Sequence, residues 1–132
     1  MILRSSTLFA SALVLLLVGA YASACEVPNG GAEFDNQIYL TVVDEQTKIF
    51  RLEVPLEMNN TPFYQAAMTY WPKFKKPGQY QQSQEIDLVE SEGSLVGQFI
   101  APDGNEFDEI EVVVVYISPL GGCGTYAYAK VG

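Results

Sequence analysis

The sequence predicts an all-β domain built as a small two-sheet β-sandwich, with a small β-barrel as the alternative. Three observations carry this. Apolar residues recur at every second position in most segments beyond residue 36. Pro, Gly, Asn and Asp gather between those segments, spaced as tight turns are. Residues 110–117, IEVVVVYI, are apolar at almost every position, as expected of a central strand covered on both faces.

Taken in chain order, residues 1–24 stand apart from the rest. Arg4 is their only charge, residues 8–18 form an uncharged apolar run, and Ala22-Ser23-Ala24 follows after Gly19. That is the layout of a secretory signal peptide cut after Ala24. The run is shorter than the ~20 apolar residues a spanning helix needs. Residues 25–132 are then one domain of ordinary size, and the protein is expected outside the cytoplasm, secreted or periplasmic.

Residues 37–43 read as a strand, with Ile38, Leu40 and Val42 on one face and Tyr39, Thr41 and Val43 on the other. Asp44-Glu45-Gln46 is a polar turn. Residues 48–54 alternate Phe50, Leu52 and Val54 against Arg51 and Glu53, so the two segments predict a hairpin that Pro55 closes or marks as a sheet edge.

Residues 59–71 are ambiguous. Phe63, Ala66, Ala67, Tyr70 and Trp71 have helical spacing, with Thr61 as an N-cap and Pro62 at the first helical position. Tyr64, Ala66, Met68 and Tyr70 also alternate as a strand does. The aromatics and Thr69 favour a strand and Ala-Ala-Met a helix; the strand is preferred because every other element is β. Strands follow at 84–89, with Ile86 and Leu88 inward, and at 95–101. A turn at Pro102-Asp103-Gly104-Asn105 precedes the 110–117 strand. The last strand, 125–131, has Tyr126 and Tyr128 on one face and small residues opposite. Six or seven strands of this kind fit an immunoglobulin-like or transthyretin-like arrangement.

Composition narrows the function. The chain carries 7 Lys+Arg against 16 Asp+Glu, net −9. An acidic field of that size repels nucleic acid and anionic membrane surfaces and favours solubility. There is no histidine, which removes Ser-His-Asp and Cys-His catalysis and the commonest zinc ligand. The many carboxylates would serve a glycosidase, but they fall on turns and on the polar sides of strands. The chain therefore reads as a non-enzyme with no metal and no cofactor.

Cys25 and Cys123 are the only two cysteines. In an exported chain that count predicts one disulfide, closing about 100 residues and contributing an upper figure of ~4–5 kcal/mol. The bridge would also anchor residues 26–31, too rich in Gly and Pro to pack alone. The rival reading is lipidation of Cys25. Against it, Ala22 lies three residues before, where lipoprotein signals place Leu, and Cys123 would be left unpaired.

Three constellations carry binding chemistry. Trp71, Lys73, Phe74, Lys75 and Lys76 place three of the chain's cations beside two aromatic rings. Such a loop can grip an anionic glycan or a partner's carboxylates; the plainer reading is a solvated loop with its rings turned into the core. The run Asp103-Gly104-Asn105-Glu106-Phe107-Asp108-Glu109 begins like a calcium loop but lacks its far acidic ligand, and a turn explains it. Asn59-Asn60-Thr61 is a glycosylation acceptor weakened by Pro62. Residues 118–122 could protrude as an inhibitor's loop, or simply join the last two strands.

The expected function is that of an exported binding or interaction module with a protein or glycan partner. The alternatives are a structural subunit of an envelope or extracellular assembly, and an inhibitor of a secreted hydrolase.

Overall fold

A computed structural model describes residues 28–73 and 77–131. The predicted signal peptide, Cys25, Phe74, Lys75 and Lys76 lie outside the described residues. The described chain begins with a 3-10 segment, Pro28–Gln37. The strands are β1 (Tyr39–Asp44), β2 (Ile49–Pro55), β3 (Glu57–Met58), β4 (Thr61–Pro72), β5 (Gln82–Glu85), β6 (Val89–Ser91), β7 (Ser94–Ile100), β8 (Phe107–Tyr116) and β9 (Thr125–Lys130).

They form two antiparallel sheets. The first has the order β1-β2-β7-β6; the second has β3-β4-β8-β9, with β5 also paired to β4. The sheets pack face to face over one core of Leu52, Val54, Met58, Ala66, Met68, Ile86, Val112, Val114, Tyr116 and Ala127. This is the sandwich the alternation predicts, and its sheets end in edge strands where a barrel would close.

The hairpin β1–β2 forms as expected. Leu40 pairs with Leu52 and Val42 with Phe50, and β2 shows strict alternation of buried and half-buried residues up to Pro55. The Asp44 carboxylate accepts the Gln46 N–H at 2.9 Å, nucleating the turn. That bond is the main reason its acid form is disfavoured and its pKa lies below the ordinary value. The β3–β4 turn is equally explicit. Asn59 and Asn60 both adopt positive φ, 53° and 57°, the conformation a two-residue hairpin turn demands and Asn tolerates. The sequence Asn59-Asn60-Thr61 therefore serves the turn, with both asparagines exposed.

β4 settles the ambiguous segment as a strand, and also explains its helical spacing. Phe63 pairs with Tyr116 while Gln65 pairs with Val115. Two steps on β4 thus match one on β8, so Tyr64 is an extra residue, a β-bulge. The bulge shifts the phase of the alternation. Phe63, Ala66, Met68 and Tyr70 pack on the core, while Tyr64 stands 64% exposed. The Phe63 ring meets Tyr116 edge-on at 5.8 Å.

Residues 84–89 correct the expectation of one strand. The chain leaves β5 in the second sheet at Glu85, crosses between the layers, and enters β6 in the first sheet at Val89. Ile86 is buried and Leu88 packs on the core from within this crossing. The Ile86 N–H donates to Ala66 O at 2.8 Å, tying the crossing to β4.

β8 also differs from expectation. It is central by pairing, with β4 on one side and β9 on the other. Only one of its faces is covered, however. Val112, Val114 and Tyr116 are fully buried, whereas Val113 and Val115 are half-buried. Their shelter comes from cross-strand neighbours, Tyr128 beside Val113 and Tyr126 beside Val115, and not from a third layer. β9 keeps its predicted faces, with Thr125 and Ala127 buried and both tyrosines on the outside.

Tyr116 is fully buried and donates its hydroxyl to Pro55 O at 2.6 Å, joining the two sheets. Burial holds its phenol far above the ordinary tyrosine range. A raised folded-state pKa stabilises the fold fully below the unfolded value near pH 10 and loses that contribution as pH rises beyond it. Stability should therefore fall above pH 10, by up to about 1.4 kcal/mol per pH unit from this group. Tyr116→Phe should cost about 1 kcal/mol at neutral pH through the lost hydrogen bond and make the alkaline slope shallower, leaving the part that comes from Tyr128, whose phenol is also raised by burial. Urea denaturation from pH 8 to 11.5 checks both; an unchanged slope in the variant would count against the argument.

Candidate functional site

The predicted basic and aromatic loop starts at the end of β4, and pairing with β8 fixes that end. Trp71 pairs with Asp108 and Pro72 with Phe107, and the Tyr70 ring meets Phe107 edge-on at 4.9 Å. The pairing survives this far because Glu109, at φ 53°, forms a second bulge: Thr69 pairs with Glu111, but Trp71 with Asp108. The Lys73 N–H then donates to Glu106 O at 2.8 Å, and its ammonium donates to Gly104 O at 3.2 Å. The cation nearest Trp71 in sequence is thus folded back onto the β7–β8 turn.

Trp71 is half-buried and Lys73 exposed. Neither full burial of the ring nor a freely projecting Lys73 describes the site. Trp71 instead lines a groove of about 420 Å³ together with Thr69, Gln81, Glu109, Glu111 and Lys130. Thr69, Glu111 and Lys130 form one cross-strand row on the outer face of the second sheet. Gln81 comes from the segment leading into β5.

The groove offers two carboxylate acceptors, one ammonium donor, an amide and a hydroxyl around an indole ring. Of the residues expected at this site, the described ones are Trp71 and Lys73, and only Trp71 lines the groove. Thr69, Gln81, Glu109, Glu111 and Lys130 were not legible as members. Lys130 reaches the site through the β8–β9 pairing, from almost sixty positions along the chain.

The other constellations resolve into turns. Asp103 Oδ1 accepts the Asn105 N–H at 3.0 Å and lies 3.8 Å from the Lys48 ammonium. Asp103 O accepts the N–H groups of Glu106 and Phe107. Residues 118–122 do join the last two strands, as the plainer reading had it. The Gly121 N–H donates to Ser118 O at 3.1 Å, and Leu120 projects 96% exposed. Cys123 follows at the base of this loop, exposed; its expected partner lies outside the described residues.

No protein-family model matches the sequence, and no curated protein or solved structure matches it. The chain is thus defined by its fold: a two-sheet antiparallel β-sandwich with a polar groove on the outer face of its second sheet.

Proposed function

We propose that the protein is an exported, non-enzymatic binding module whose ligand is a neutral glycan held in the Trp71 groove. One observation carries this reading: the chain's single tryptophan sits in a groove lined by hydroxyl, amide, carboxylate and ammonium groups, with Ile110 and Val131 as its other apolar residues. Sugar rings present an apolar face that stacks on indole, and a rim of hydroxyls that such groups bond. Two carboxylates against one ammonium favour a neutral sugar over an anionic one.

Because Trp71 is the only tryptophan, its fluorescence reports directly on the groove. Titration with neutral oligosaccharides should quench or shift it saturably, and Trp71→Ala should weaken binding at least tenfold by calorimetry, with Tm little changed. No response to ~10 mM sugar from the folded protein would defeat the reading. Release of reducing ends would instead make Glu109 and Glu111 a hydrolytic pair.

Export is part of the same proposal, supported by the signal layout of residues 1–24 and by a cysteine count that suits an oxidising compartment. The Cys25–Cys123 disulfide belongs to it. Intact mass of the exported protein should be two hydrogens below the reduced chain. A diacylglyceryl adduct would replace the bridge with a lipid anchor at Cys25.

A further inference from the structure

We infer that the flank between β1 and β9 receives an extended segment of another protein, added as a strand to the free edge of β1 and carrying neutral to basic side chains. This surface meets the Trp71 groove at Ile110, Lys130 and Val131 but does not include Trp71, and it does not depend on the glycan reading.

The argument begins with edges. In the first sheet β1 is terminal, so every second N–H and C=O of Tyr39–Asp44 points away from β2, and nothing among the described residues pairs with them. Its sequence, YLTVVD, carries no Pro and no Lys to blunt that edge. The corresponding edge of the second sheet, β9, is treated differently. The 3-10 segment lies along it, with the Tyr128 N–H donating to Asp35 Oδ1 at 2.8 Å and Phe34 packed on the core.

That cover stops short. Past Tyr128 the flank opens into a cleft of about 490 Å³ between the sheets, floored by Phe50, Ala101 and Ile110 and bordered by Leu40, Val42 and Val131. Val42 is the telling residue. Its register places it on the inner face, opposite buried Phe50, yet it is 53% exposed. A residue that faces inward and is nonetheless wet marks a place where the sandwich lacks material. A strand paired to β1 would send alternate side chains into this cleft and cover Val42, the way strand addition couples main-chain affinity to side-chain pockets.

Charge selects the occupant. A second copy would bring another net −9 chain against an edge that ends in Asp44 and Glu45, and the repulsion opposes self-pairing. Two cations line the cleft, but the Lys48 ammonium already faces Asp103 at 3.8 Å and Lys130 stands beside Glu111 in the β8–β9 register, so neither offers an acidic segment much. A neutral to basic strand from a different protein suits the edge.

The test uses the mature protein and a labelled eight-residue peptide of alternating Val and Thr with Lys at both ends. We expect saturable anisotropy at micromolar peptide and slower amide exchange at residues 39–44. Alternate backbone N-methylation should abolish binding, and Glu in place of the terminal Lys should weaken it at least tenfold. Val42→Lys should also weaken it at least tenfold with little change in Tm, whereas Trp71→Ala should leave it unchanged. The inference fails if no saturable binding occurs below ~1 mM. It fails equally if the protein sediments as a dimer with β1 protected, which would give the edge to a second copy. Protection of β1 amides in the monomer alone would give the edge to the chain's own N-terminal residues and overturn it as well.

Discussion

Val114→Asp should yield no folded protein, whereas Val115→Asp, one residue along the same strand, should fold. Val114 is fully buried between the sheets, pairs with Ala66 on one side and Ala127 on the other, and has only apolar neighbours in the core. A carboxylate there loses its hydration with nothing to replace it, and even its protonated form leaves a polar group without a partner at a cost of several kcal/mol. The lost burial of the valine adds about 1.5–3 kcal/mol. The sum rivals the whole stability of a domain this size, about 5–15 kcal/mol.

Val115 faces outward between Gln65 and Tyr126 and is half-buried, so an aspartate there reaches water and costs ~1 kcal/mol or less. Circular dichroism and urea titration of the two variants decide the matter. Equal damage from both would mean that β8 is covered on both faces after all.

Gly97→Ala should be the most damaging conservative change in the first sheet, lowering stability by about 3 kcal/mol or more and Tm by roughly 10–20 °C. Gly97 lies on β7 opposite Leu52, on the inner face where residues 86–88 cross between the layers. A Cβ at this position would collide with the carbonyl oxygen of Asp87 and come within 2.7 Å of Leu88 Cδ2. The first of these atoms is backbone, which cannot swing aside as a side chain does. The crossing is itself pinned by the Ile86 N–H to Ala66 O bond, so relief would have to come from separating β7 from the crossing strand. By contrast, Gly104→Ala meets nothing closer than the Lys48 ammonium at 3.8 Å and should be nearly neutral. Thermal melts of the pair test the argument, and a Gly97→Ala variant as stable as the parent would sink it.

The site was legible only in part. Trp71 stood out as the lone tryptophan beside a run of lysines, and it does line a groove. The run of lysines points to an anionic ligand, yet Lys73 turns back to Gly104 O, and the cation in the groove is Lys130. Nothing local marks Lys130. Its membership follows from the β8–β9 register, which puts it beside Glu111. In sequence Glu109 looks like the end of a turn, but its positive φ makes it the bulge that keeps Trp71 paired.

What the sequence determined by itself is the set of properties that repeat along a strand or sit inside a turn. The inward faces of β2 and β9, the hairpin at Asp44, and the turn after Pro102 all follow from a two-residue period or from side chains that bond their own backbone. Tertiary structure alone decided whatever depends on a second layer or on a partner distant in sequence. The four valines of β8 look alike in sequence, because valine suits any strand. Which pair is fully buried depends on where the other sheet lies. Residues 84–89 alternate as one strand, yet they split between sheets because Ile86 and Leu88 fill the gap between the layers. Helical spacing in β4 came from a bulge, since one inserted residue turns a period of two into a step of three. These outcomes are set by packing across the core, and packing is not written in the spacing of any single segment.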